Sequence, residues 1–404
     1  MRSKLLRKDY IFLAVSFFYI IYIIFPLFAD LTNIPVYLPA LLVVFTLSLL
    51  YPRAMFSKPL AWLLGYIGII FLYITCGKSF HINGLESTLS PVYRLIIETA
   101  WILPSTMIFS VLVYRKNDRL YKIIGYGSVI LLVLSYIYIL PLLQASANFL
   151  REDMDMENRQ IGLPGYDLMH SYALMILPLC LYIKKSVRFY KLLNLVLLLL
   201  FGYIVVQTAV TTSLVIIIFT VFLVLLYKPG RIIYNSSIVI IGSMVLLLLY
   251  YSGFFLNLVD WLMPYFENTA VYFKLQDIHY SILKGSITGD SLTARMDYHQ
   301  LSWASFFRNP IVGAGNVGGH SKIIDVLGSM GLAGAIPYLM FIVSVLRKYV
   351  HLNKLREYRA YICVSFLMAF VYLYTKGIFG APGYLFMMVI VPSLIVSGYK
   401  SKAR

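Results

Sequence analysis

The sequence predicts an all-α polytopic membrane protein, a single integral membrane domain over residues 1–404 with about twelve transmembrane helices. Three observations predict it. Hydrophobic residues make up 60% of the chain and charged residues 13%, with a mean hydropathy of +0.82, whereas a soluble protein of this length needs a charged surface. Apolar runs of span length recur from one end to the other, each able to satisfy its own backbone in lipid as a helix. Basic residues then fall in alternate loops.

The first run, roughly 10–28, follows the basic segment Met1 to Lys8. It is span-length and lacks a small-residue cleavage pattern, so it reads as a retained helix rather than a cleaved signal. Further runs follow at roughly 33–51, 59–76, 96–114, 123–143, 166–183, 192–209, 211–227, 236–252, 328–346, 360–375 and 384–397. With alternating loops, one side collects 24 of the 34 Lys and Arg residues against three acids, Asp9, Asp118 and Glu357. The other side keeps ten cations and 14 acids. The positive-inside rule therefore places both termini in the cytoplasm. The net charge of +17 is accounted for by topology and asks for no nucleic acid partner. Cys76, Cys180 and Cys363 lie in or beside apolar runs and suggest neither disulfides nor a metal site. No HExxH or similar ligand spacing occurs, so the expected chemistry is metal-independent and needs no cofactor.

Three segments expected on the external face are longer or more polar than connectors require: 77–95, 144–165 and above all 253–327. Trp261, Tyr265, Phe266, Trp303, Phe306 and Phe307 give the last one aromatic anchors, which argues against disorder. Within it, Val259 to Leu283 and Leu292 to Phe307 show helical spacing with an apolar face, as short interfacial helices do. A brace or plug for the bundle is the alternative reading of both.

The chemistry-bearing candidates concentrate in this loop. Gly313-x-Gly315-x-x-Gly318 formally matches a dinucleotide fingerprint, but no strand–helix–strand unit surrounds it. Gly313, Gly315, Gly318, Gly319 and Ser321 can instead offer N–H groups to an anion before the helix that starts near Ser321, or simply form a tight re-entrant turn. His320 follows that turn, and a histidine side chain is suited to proton transfer or to a charged contact with phosphate. Arg295 and Arg159 are the leading cations for phosphate oxygens, with Arg94, Arg151 and Arg308 as weaker alternatives. Interfacial pairing with acids or lipid headgroups is the competing reading of each arginine. Glu98 is unusual near the outer end of a span, where carboxylates tend to face a cavity. His170 and His299 read as hydrogen-bonding within the bundle.

The residues around His320 resemble the bacterial O-antigen polymerase and O-antigen ligase superfamily. His320-Ser321, nine residues and then Gly331 match its signature, and Trp303 to Phe307 followed by Asn309-Pro-Ile-Val-Gly-Ala-Gly resembles the usual approach to that histidine. Arg295 lies at the family's usual distance upstream of the histidine, and Arg159-Gln-Ile-Gly-Leu163 matches an Arg-x-x-x-Leu element of an earlier external loop. Two features depart from the pattern. Thr211-Thr-Ser213-Leu stands where many members carry Ser-Arg-Gly, and no second arginine precedes Arg295 by some two dozen residues. The motif covers roughly 290–340, and the topology extends the resemblance in outline over the chain.

The resemblance implies a GT-C-like helical bundle and a membrane-embedded glycosyltransferase in the bacterial inner membrane. It would polymerise undecaprenyl-diphosphate-linked oligosaccharide repeat units into O-antigen or capsule-type polysaccharide on the outer face. Arg159, Arg295 and His320 would be the catalytic groups. The lipid tail would enter between spans, and a chain-length regulator is a possible partner. Ligation of glycan to lipid A-core is the alternative within the superfamily, and a flippase for lipid-linked sugars is the alternative from another class.

Overall fold

The computed structural model describes residues 5–25, 28, 37–77, 81–82, 91–145, 166–185, 188–207, 211–226, 234, 237, 244, 248, 252–267, 272, 275–276, 279–280, 290–319, 321–352, 356–375 and 380–400. The chain is a helical bundle. Its elements are α1 (Arg7–Ile24), α2 (Tyr37–Leu50), α3 (Pro52–Met55), α4 (Lys58–Thr75), β1 (His81–Ile82), α5 (Pro91–Arg115), α6 (Asp118–Ala145), α7 (Tyr166–Lys185), α8 (Arg188–Gln207) and α9 (Thr211–Leu226). After these come α10 (Phe254–Leu262), α11 (Asp290–Arg308), β2 (Asn316–Val317), α12 (Lys322–Leu352), α13 (Arg356–Thr375), α14 (Ala381–Leu385) and α15 (Val391–Lys400). Helices overlap eleven of the twelve expected runs, and 236–252 lies almost wholly outside the described residues. By length and composition, five helices among the described residues can cross a membrane: Lys58–Thr75, Asp118–Pro141, Lys322–Leu352, Tyr358–Thr375 and Ala381–Gly398. Four shorter apolar helices accompany them. The protein is a multi-pass, all-α membrane protein.

The last helical rod is the centre of the bundle, with 89% of Ala381–Gly398 buried. It approaches its neighbours at glycines on one side or the other: Gly125 of α6 faces Leu394 of the rod, and the rod's own Gly398 faces Tyr182 of α7. Between α14 and α15 the rod widens into a π-helical turn, Phe386–Ile390. Pro392 has no N–H to return to Met388, the residue four before it. The freed Met388 carbonyl accepts the Tyr349 hydroxyl from α12 at 2.6 Å, so the break is satisfied by a neighbouring helix.

Helix α5 shows the two ends of the bundle. At its C-terminus Arg115 donates from Nε and Nη2 to Asp9 (2.8 and 2.7 Å). Asp9 also accepts the Tyr51 hydroxyl and the Leu6 N–H, each at 2.8 Å, so four donors surround one fully buried carboxylate. This joins α1, α2 and α5 at that end. Near the N-terminus of α5, seventeen residues and about 25 Å away, Glu98 pairs with Lys322 at the start of α12.

Two expectations for the polar segment 253–327 need adjusting. The helix expected over Val259 to Leu283 begins earlier, at Phe254 after Gly253 (φ +71°), and passes into a 3₁₀ turn at Met263–Phe266 where Pro264 removes a donor. Helix α12 begins six residues before the expected span. Its 31 residues are not one continuous rod, because the helix is interrupted at Gly331. The helix expected over Leu292 to Phe307 is found as α11.

Candidate functional site

The glycine-rich loop between α11 and α12 is held by backbone on backbone. Helix α12 breaks at Gly331 (φ +59°, ψ −158°), a conformation open essentially to glycine. The break frees the N–H groups of Leu332 and Ala333, which donate to the carbonyls of Pro310 (2.8 Å) and Ile311 (3.0 Å). In return Ala314 donates its N–H to the Gly328 carbonyl at 3.0 Å. A Cβ on Gly331 would overlap Ile311, and one on Gly313 (φ +67°) would overlap the Ser329–Met330 peptide. The spacing from His320-Ser321 to Gly331 thus has a physical meaning: the second glycine is the socket into which the loop's first half docks.

The loop's second half hangs on two side chains the sequence reading did not select, Ser302 and Asp325. Ser302 Oγ on α11 accepts the Gly318 N–H (2.9 Å) and donates to Asp325 Oδ1 (2.7 Å), with the Tyr298 carbonyl a second acceptor at 3.1 Å. Asp325 Oδ1 also accepts the Gly319 N–H (3.3 Å), and Oδ2 accepts the Ser321 N–H (3.1 Å). Ser321 caps α12, its Oγ accepting the Ile324 N–H at 3.3 Å. Ser305, one turn after Ser302, donates to the Asn316 carbonyl. Asn316 and Val317 pair in parallel with His81 and Ile82, which brings residues 81–82 against the loop.

These bonds place the candidates. The N–H groups of Gly313, Gly318, Gly319 and Ser321 all reach acceptors inside the protein, Gly313 through the Asn309 carbonyl at 2.8 Å. Gly315 and Gly319 take positive φ values, +84° and +81°, and these glycines shape the turn. His320 and Arg159 lie outside the described residues, as does Arg151. Of Arg295 and Arg94 the backbone is described and the side chain is not. Position 295 lies seven residues before Ser302, two turns and about 10 Å along the same face of α11. Position 94 lies one turn before Glu98 on α5. Arg308 is exposed at the far end of α11, about 20 Å from position 295.

Glu98 is more than a cavity-facing carboxylate. Its Oε1 accepts Lys322 Nζ, both side chains being buried, while Oε2 has no hydrogen-bond partner among the described residues. Together with the Tyr73 hydroxyl, which donates to the Met330 carbonyl at 3.1 Å, this pair ties α4 and α5 to the first turns of α12. His170 hydrogen-bonds within the bundle, its Nδ1 lying 2.7 Å from Ser213 Oγ, whereas the contact shown for His299 is between rings, edge-on to Tyr374. The Tyr372 hydroxyl donates to Ser213 at 3.1 Å, completing a buried polar contact among α7, α9 and α13. An apolar hollow of about 690 Å³ among α6 to α9, lined by Tyr136, Ile176, Leu199, Tyr203, Ile217 and Val221, shares no residue with the loop. Among the described residues no group of three His, Cys, Asp or Glu side chains forms a metal site.

The signal that would have found Asp325 is the start of α12 itself, since a capping Ser followed by an acid in the first turn can reach back to the N–H groups preceding the helix. Glu98 and Lys322 are 224 residues apart, and nothing local links them. Compared with known proteins, the chain matches no family model and no curated sequence.

Proposed function

We propose that the protein is a membrane-embedded glycosyltransferase that polymerises lipid-diphosphate-linked oligosaccharides on the external face of the bacterial inner membrane, with both termini in the cytoplasm. The observation that carries this reading is the clasp that fixes the residues on either side of His320. It lies at the corner where position 295 of α11 and position 94 of α5 also fall. A hydroxyl of the acceptor sugar attacks the anomeric carbon of the growing chain. The new C–O bond forms as the bond to the lipid diphosphate breaks, and the hydroxyl proton passes to the His320 imidazole. Negative charge then gathers on the departing diphosphate. Because most of the loop's N–H groups are already engaged, that charge falls to the guanidinium groups of Arg295 and Arg159, with Arg94 nearby. The apolar hollow among α6 to α9 is suited to a lipid chain.

Purified protein given synthetic undecaprenyl-diphosphate repeat units should make longer glycans. The proposal fails if it makes none, or if His320→Ala makes as much as the wild type. Deleting the gene separates polymerase from ligase: single repeat units stay on the surface glycolipid in the first case and none in the second. A flippase would instead move the lipid-linked unit across vesicles without extending it.

A further inference from the structure

Resting on the glycosyl-transfer reading, we infer that Asp325, with Ser302 as its partner, is a positioning residue that sets the spacing between the candidate base at 320 and the candidate cation at 295. Capping of α12 does not require it, because Ser321 Oγ already accepts the Ile324 N–H. Asp325 instead reaches backwards out of its helix. It takes the N–H of the residue before position 320 and the N–H of the residue after it. A carboxylate is only 6% exposed there, a placement that costs free energy unless donors surround it. Three donors do: Gly319 N–H, Ser321 N–H and Ser302 O–H. An ionised carboxylate is acceptor-only and suits such a set.

The third donor gives the arrangement its functional content. Ser302 belongs to α11 and shares a face with position 295, so the Ser302–Asp325 bond ties the arginine's helix to the histidine's loop. Gly318, which donates to the same hydroxyl, extends the tie along the loop. Without the clasp, the loop stays docked at Gly331 through Pro310 and Ile311 but is released around 318–321. Catalytic geometry is sensitive to such a release, since a displacement of about 1 Å costs about 100-fold in rate.

The test uses the full-length protein in lipid nanodiscs with a synthetic undecaprenyl-diphosphate repeat unit. Asp325→Ala should lower kcat by about 100-fold and leave KM within about threefold. Asp325→Asn, which keeps an acceptor oxygen, should recover part of that loss. Ser302→Ala should lose less, and the double variant should be no worse than Asp325→Ala, because the two residues act as one unit. Hydrogen exchange at the Gly319 and Ser321 amides should speed up in Asp325→Ala. Wild-type kcat in both Asp325 variants, or a rise in KM alone, overturns the inference. If Asp325→Ala does not fold, Asp325→Asn and Ser302→Ala carry the same comparison. If the wild type transfers no sugar, the glycosyl-transfer reading fails by itself. Amide exchange then decides the clasp, unchanged protection at Gly319 and Ser321 overturning it.

Discussion

Gly313 and Gly331 are the two bare positions of one joint: a Cβ on Gly313 would overlap the Ser329–Met330 peptide, and a Cβ on Gly331 would overlap the backbone of Pro310 and Ile311. Both take positive φ, and the carbonyls of Pro310 and Ile311 enter the break that Gly331 makes in α12. A loop that carries a candidate catalytic group is thereby docked on a membrane helix through main-chain hydrogen bonds.

Gly331→Ala should therefore destabilise the protein by about 2–5 kcal/mol, combining backbone strain with overpacking. Thermal unfolding in detergent measures it. Gly68→Ala is the control, because a Cβ there meets nothing within 4 Å, and its melting temperature should stay at the wild-type value. Equal melting temperatures for the two variants would contradict the docking argument.

Breaking the Glu98–Lys322 pair should cost about 3–5 kcal/mol, since removing one partner strands the other charge in a buried site. Glu98→Gln and Lys322→Met should each show this loss in thermal unfolding. The double variant Glu98→Leu with Lys322→Met should recover most of it, because an apolar pair leaves no stranded charge. A double variant that loses the sum of both singles would mean that the residues act separately.

The Asp9 site makes the acid limb of stability predictable. Burial pushes this carboxyl up, but hydrogen bonds from Arg115, the Leu6 N–H and Tyr51, with the Arg115 charge, outweigh it and hold Asp9 below the usual carboxylate value. Its partner agrees: bonding to Asp9 holds the Arg115 guanidinium above its ordinary value. A carboxyl depressed on folding contributes stability that is full above the unfolded pKa of about 3.9 and is lost as pH falls through the folded value. Melting temperature should drop below about pH 4 in the wild type, and Asp9→Asn should be less stable at neutral pH with a flatter acid limb. Parallel curves for the two proteins would remove Asp9 as the cause.

In the transfer assay, His320→Ala should lose about 100-fold or more in kcat, as expected when a general base is removed. Arg295→Ala should lose a comparable factor, whereas Arg308→Ala, at the exposed far end of α11, should retain most activity. An Arg308→Ala loss as deep as that of Arg295→Ala would relocate the diphosphate to the other end of the helix.

What the chain determines by itself is local. Apolar runs marked out the helices because a span must satisfy its own backbone in lipid, and that requirement is met or failed within some twenty residues. The glycines at 313, 315 and 319 announced a turn because positive φ is a property of single residues. After Val259 the regular helix gives way to a 3₁₀ turn at Met263–Phe266, and residues 272, 275, 276, 279 and 280 are helical again. Tertiary structure decided the rest. Asp325 stands five residues after position 320, a spacing that by itself joins nothing on a helix, yet the N–H groups of Gly319 and Ser321 both reach its carboxylate. Lys322 meets Glu98 across 224 residues, and Met330 meets Tyr73 across 257, contacts that no local pattern encodes. A buried donor or acceptor must find a partner, but which partner is set by how the helices pack around it.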